Sequence, residues 1–212
     1  MPKEESVLRR PPKQERSRER VEDILGAAKR LIGEKGIDAV KMREIAALTG
    51  SPISSIYQYF PNKSAIIATL HQQWSAEIMG VLKQALDEVN DLDQLFAATA
   101  HLLDFYHERI RSDPAILDLI NATQADKALK NIDIAETRKQ TAYFCAIARP
   151  WIPESRFDAF SRISFMMFQL AYGAVRLALL VENDEANAIL SDYKMIIRVQ
   201  LNEFSRPEKG VE

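Results

Sequence analysis

The sequence predicts an all-α protein in which three short helices at the front precede a longer helical bundle. Two patterns predict it. Apolar residues recur three and four apart through most of the 212 residues, which is the spacing of one helix face, and no run alternates with the period of a strand. Glycines are few, seven in all with four between Gly26 and Gly50, and no Asn-Gly or Asp-Gly pair marks a hairpin.

Taken in order, residues 1–17 are polar, carry Pro2, Pro11 and Pro12, and form a basic arm expected to be disordered when free. From Arg18 the apolar positions Val21, Ile24, Leu25, Ala28, Leu31 and Ile32 share one face, and Gly36 stands where a left-handed C-terminal cap ends the helix. Two short helices are expected over Met42–Thr49 and Pro52–Tyr59. Asn62 is a good N-cap for a fourth that runs to about Val89. Further helices are expected at 92–111, 114–129, 132–149, 154–183 and 187–205. Their limits are set by Asp91, Asp113-Pro114, Asn131, the Pro150–Pro153 segment and Asn183-Asp184. The expected domains are the arm, residues 18–63, and residues 64–212.

Charge is unevenly spread. The formal net charge is −2, yet residues 1–63 hold 13 Lys/Arg against 9 Asp/Glu and the rest hold 15 against 21. A basic front on an acidic body is expected where one end meets phosphate and the other does not. The single cysteine, Cys145, excludes an internal disulfide and fits a reducing cytoplasm, and its apolar neighbours favour a buried, inert thiol. The apolar run Ile163–Val181 contains Ser164, Gln169 and Arg176. A mid-membrane arginine costs about 2.5–3.5 kcal/mol, so a helix buried in protein explains the run better than a membrane span.

An enzyme is a rival class with little support. His71, His101 and His107 do not share one helix face for a metal, and no Gly-rich phosphate loop or Ser/His/Asp set stands out. No cofactor, metal or catalytic residue is therefore expected.

Residues 42–61 carry the functional signal. Two helices crossing through a tight turn need a small residue at the contact and a permissive one in the turn, supplied by Ala46 and Gly50. Ile45, Ile56 and Phe60 can lock the pair onto the first helix, and Ser51 can cap the second short helix ahead of Pro52. Ile53, Ser54, Tyr57 and Gln58 are left outward, with groups suited to base edges and phosphates in a major groove. A plain helical hairpin within a bundle gives the same pattern.

Gly36, Arg43-Glu44-Ile45-Ala46, Gly50, Ile56-Tyr57-Gln58-Tyr59-Phe60 and Asn62-Lys63, within Arg20–Leu70, closely resemble the N-terminal domain of the tetracycline-repressor (TetR) family of transcriptional regulators. The resemblance implies a helix-turn-helix DNA-binding domain. It places Arg43 on bases or phosphates and Ile53, Ser54, Ser55 and Tyr57 on the recognition helix, with Tyr57, Tyr59 and Lys63 at phosphates. Lys41 and Ser51 are counted with this DNA-facing set. Three positions depart from the family pattern: Lys41 replaces a capping Ser or Thr, Ser54 a frequent glycine, and Ser51 a frequent apolar residue.

On the last two helices Ile189, Leu190, Tyr193, Ile196, Ile197, Leu201 and Phe204 form a stripe, and Phe160, Phe165, Met166, Leu170 and Leu177 leave few polar positions. Small residues at Ala171, Ala174 and Ala178 permit close packing. The resemblance implies that these helices form a four-helix bundle across a twofold axis. The expected interface is Ala171, Ala174, Ala178, Tyr193, Ile197 and Leu201; the alternative is that they only complete the monomer core. Aromatics mixed with amides and hydroxyls suggest a small-molecule site, or plain core. The residues expected to line it are Trp74, Phe105, Asn121, Gln124, Tyr143, Phe168 and Tyr172. The expected function is a cytoplasmic homodimeric repressor binding a palindromic double-stranded operator and released by a small-molecule effector, with no membrane partner. An architectural or non-specific DNA-binding protein is the alternative.

Overall fold

The computed structural model describes residues 15–125 and 127–206, apart from the side chains of residues 124–128. The expected arm lies outside the described residues except for Glu15–Ser17, which already belong to the first helix. Regular structure among the described residues is helical throughout. It comprises α1 (Glu15–Lys35), α2 (Met42–Leu48), α3 (Ile53–Tyr59), α4 (Lys63–Leu86), α5 (Leu92–Ser112), α6 (Pro114–Ala125), α7 (Lys127–Ala148), α8 (Glu154–Ala178) and α9 (Asn183–Ser205), with a 3₁₀ turn at Arg149–Trp151. None of these helices is long and apolar enough to cross a membrane.

Two compact units share the chain. One contains the residues up to Trp74 together with Asp113–Asp133; the other contains Ser75–Ser112 and the residues from Ile134 onward. The expected domain start at residue 64 thus falls inside the first unit. The reason is α6, which packs on α1 through Ala115 and Leu119 and is pinned there by a 2.6 Å ion pair between Lys29 and Asp113.

In the first unit the apolar face of α1 presents Ile24, Leu25, Ala28 and Ile32 to Ile45 and Ala46 of α2, Ile56 of α3, Phe60, and Ile66 and Leu70 of α4. Full burial of each of the larger side chains contributes about 1.5–3 kcal/mol. The expected glycine cap ends α1: Gly36 has φ 77° and its N–H reaches the Ile32 carbonyl at 2.8 Å. Asn62 caps α4, its Oδ1 accepting the Ala65 N–H at 2.9 Å.

The second unit is built on Leu82, Leu86, Leu95, Phe144, Phe160, Leu201 and Phe204. Phe160 lies edge-on to Phe204, with ring centroids 5.7 Å apart, and α9 packs on both α5 and α8. Cys145 is buried here, and burial pushes its thiol above the ordinary range despite hydrogen bonds with Ser164 and Ser161. The burial is as the sequence predicts.

The boundaries that differ most from expectation lie in the second half of the chain. Asn131 lies inside α7 rather than ahead of it, because Leu129 and Ile132, three apart, are both drawn into the first unit's core; that burial outweighs the weak helix preference of asparagine. The helix expected to reach 183 stops at Ala178, where the Leu179 N–H closes on Val175. The last helix starts at Asn183 instead of 187. The Glu182 carbonyl accepts the Ala186 N–H at 2.8 Å, and Asp184 and Glu185 suit the positive end of the helix dipole.

Candidate nucleic-acid interface

α2 and α3 are too short to stand alone and are held by their inner faces. Ile45, Ile56 and Phe60 are fully buried, and Ala46 is nearly so. Between the helices the chain makes a Schellman turn: Gly50 has φ 61°, its N–H bonds to the Ala47 carbonyl at 3.2 Å, and the Ser51 N–H bonds to that of Ala46 at 2.9 Å. A left-handed residue is required there, and glycine adopts it without a steric penalty.

The start of α2 solves the problem of its missing Ser or Thr cap in its own way. The Glu44 carboxylate reaches back to the Lys41 backbone N–H at 2.9 Å, while Lys35 Nζ donates to the same group at 2.6 Å. These contacts, Lys35 first and then the Lys41 N–H, hold the Glu44 carboxyl below its ordinary value. Lys41 and Arg43 keep their side chains exposed.

α3 turns Ile53, Ser54, Tyr57 and Gln58 to solvent, as expected, with Ser55 and Tyr59 half-buried. Ile53 is 43% and Tyr57 41% exposed. The Tyr59 hydroxyl lies 3.5 Å from the hydroxyl of Ser17. It borders a polar groove of about 360 Å³ shared by Arg16, Ser17, Glu19, Arg20 and Asp23 of α1 and Ser55 of α3.

Two expected members behave differently. Ser51 does not cap α3: its hydroxyl turns back to the Thr49 carbonyl at 3.2 Å and lies 2.7 Å from the Thr49 hydroxyl, closing the end of α2 instead. Lys63 directs its ammonium to the carbonyls of Ile37 at 2.8 Å and Asp38 at 3.3 Å, so it braces the loop after Gly36.

The residues expected at a small-molecule site are drawn from both units. Trp74, buried, and Asn121, exposed, belong to the first unit; Phe105, Tyr143, Phe168 and Tyr172 belong to the second. The Gln124 side chain lies outside the described residues. Phe168 packs edge-on against Phe144 at 5.8 Å, and Tyr143 lies beneath the Lys83 ammonium, so both contribute to packing. Burial raises the Tyr172 hydroxyl pKa above its ordinary value.

One buried polar group was not singled out by sequence. His71, on the inner face of α4 with Ile67, Leu70 and Trp74, places Nε2 3.2 Å from Asp133 of α7 and leaves Nδ1 buried without a hydrogen-bond partner among the described residues. Whether Nδ1 donates or accepts is set by the tautomer that the Asp133 contact selects. Such orphans are rare. The signal in the sequence was a lone histidine at the Ile67–Leu70–Trp74 spacing, which is more often a satisfied core residue.

The faces of α8 and α9 also sort differently from expectation. Ala178, Tyr193 and Leu201 are buried within the subunit, the Tyr193 hydroxyl donating to the Met167 carbonyl, so they are not free to meet a partner. Ala171, Ala174 and Ile197 are half-buried. Exposed apolar side chains stand at Met166, Leu170 and Leu177 of α8, at Leu180 just beyond it, and at Met195, Ile196 and Val199 of α9, each 45–68% exposed.

Two family models match: bacterial regulatory proteins of the tetR family over residues 24–70, and the tetracyclin repressor-like C-terminal domain over residues 93–205. The chain resembles a TetR-family transcriptional regulator from Streptomyces coelicolor at 24% identity and TM-score 0.67, covering 88% of this chain and 98% of that one. It resembles the fatty acid degradation regulator FadR from Bacillus halodurans at 16% identity and TM-score 0.62, with 84% and 97% coverage. RolR, solved with the ligand resorcinol, matches at 16% identity and TM-score 0.55, with 94% and 100% coverage. No curated protein matches.

Proposed function

The chain belongs to the TetR family of bacterial transcriptional regulators, and from that premise we propose that it is a homodimeric cytoplasmic repressor. It binds a palindromic operator through α3 and is released by a small molecule. The observation that carries the DNA-binding part is the outward face of α3. Ile53 and Tyr57 stay exposed on a seven-residue helix that the buried Ile45, Ile56 and Phe60 hold rigidly. Lys41 ahead of α2 and Arg43 within it are exposed, and Arg16, Arg20 and Tyr59, with Glu19 and Asp23 among them, border the polar groove beside α3; the cations and hydroxyls are suited to backbone phosphates.

A lone seven-residue helix reads too few bases to be selective, which favours two copies on successive major grooves about 34–36 Å apart. The exposed apolar residues of α8 and α9 supply a surface for the second copy. Their spacing on α8, at positions 166, 170 and 177, is that of a single helix face.

Release by a ligand is supported by α4, which carries Lys63 at its start and His71 and Trp74 further along. RolR was solved with resorcinol, and a small molecule is the corresponding partner proposed for this chain. The deciding experiment is footprinting on the promoter beside the protein's own gene. Two protected half-sites one helical turn apart are expected; uniform coverage without a protected site would favour a non-specific DNA-binding protein.

A further inference from the structure

The recognition face of α3 carries no charge. Its residues are Ile53-Ser54-Ser55-Ile56-Tyr57-Gln58-Tyr59, and the nearby guanidinium and ammonium groups belong to α1, α2 and α4. This restricts what α3 can read. Guanine is most often recognised by an arginine or lysine on O6 and N7, and cytosine by a carboxylate on its amino group. Neither reader is present on α3. What the exposed face offers is an apolar branched side chain (Ile53), a hydroxyl (Ser54), a phenol ring (Tyr57) and an amide (Gln58). A glutamine amide matches the N6 and N7 edge of adenine, and an apolar side chain matches the methyl group of thymine.

Positions 53, 54, 57 and 58 lie on one side of a helix, one turn apart. With a rise of about 1.5 Å per residue, Ile53 and Gln58 are separated by about 7.5 Å along the axis, the span of two or three base pairs. Ile53 is 43% exposed, which leaves its outer methyls free for a base. We propose that α3 reads A·T pairs, with thymine against Ile53 and adenine against Gln58 within two or three base pairs in each half-site. This inference rests on α3 being the DNA-reading helix, and it deepens that reading by naming the bases.

The test begins with selection of random duplexes by the full chain at fixed salt. It is repeated with Ile53→Ala and Gln58→Ala, both exposed positions whose variants keep the native circular dichroism. Base pairs whose preference relaxes in a variant are those the lost side chain reads. These are expected to be A·T. Replacing the thymine read by Ile53 with uracil, which removes only the methyl group, should weaken wild-type binding about four-fold and leave Ile53→Ala unaffected. Replacing the adenine read by Gln58 with 7-deazaadenine should weaken wild-type binding about ten-fold and leave Gln58→Ala unaffected. Relaxed positions that are G·C pairs, or modified bases that bind as well as natural ones, overturn the inference while leaving α3 as the recognition helix. If no sequence is enriched, the recognition-helix reading fails and this inference with it.

Discussion

The ammonium of Lys63 donates to the carbonyl of Ile37 at 2.8 Å, tying the first turn of α4 to the loop that follows Gly36. With Asp38 also accepting, one of its three N–H groups remains for a DNA phosphate. Lys63→Met should therefore act twice. It should lower stability by roughly 1–2 kcal/mol through the lost charged hydrogen bonds. It should also weaken binding to all DNA sequences alike, making the slope of log K against log salt shallower by roughly one unit. Denaturation and anisotropy measured across a salt series read the two effects separately. A stability loss with an unchanged slope would make Lys63 a loop brace only.

Glu44 links acid stability to the same region. Its folded pKa is lowered by Lys35 and the Lys41 N–H, so the charged form favours folding. The stabilisation is complete above the ordinary glutamate value of 4.5 and is lost as pH falls through the lowered folded value. Glu44→Gln should be less stable than wild type at neutral pH, and the two should converge in acid. Urea midpoints at a series of pH values check this; a difference independent of pH would show that the Glu44 charge is not involved.

The exposed and buried positions of α8 and α9 predict opposite outcomes for similar substitutions. Leu177→Lys or Val199→Asp should give a folded monomer, because these side chains face solvent in the subunit and a charge there disrupts only a desolvated interface. Leu201→Asp should lower stability by several kcal/mol, since Leu201 is 3% exposed within the core. Sedimentation and circular dichroism separate the cases. A wild-type monomer at micromolar concentration would remove the proposed interface.

Much of this was legible in the sequence where one physical requirement dominated. Gly36 and Gly50 stand at positions that demand a left-handed backbone, and both adopt it. Ile45, Ile56 and Phe60 follow helical spacing into the core. Legibility failed where residues had two good options. Tyr193 and Ile196 share an apolar stripe, but helices apolar on both faces do not show by pattern alone which face turns inward. Ser51 had two backbone partners within reach and took Thr49. The first unit's claim on α6 depends on Lys29 meeting Asp113, 84 positions later in the chain, a pairing that no local spacing reveals.

The last prediction concerns release. His71 contacts Asp133 through Nε2 at 3.2 Å and holds Nδ1 buried on the inner face of α4, where a ligand that hydrogen-bonds this nitrogen would gain an interaction. A ligand that makes this bond best when α4, which begins at Lys63, is tilted away from its DNA-bound position would shift the helix. A ligand can move an equilibrium only by its difference in affinity for the two states. A 100-fold difference per dimer corresponds to about 2.7 kcal/mol, enough to release an operator of ordinary affinity. Reciprocity then requires operator DNA to weaken effector binding by the same factor. Calorimetric titration of the effector into protein with and without operator measures it directly. His71→Phe should bind DNA as wild type does but lose most of the difference between the two titrations. Equal effector affinity with and without operator in the wild type would show that the ligand does not control DNA binding.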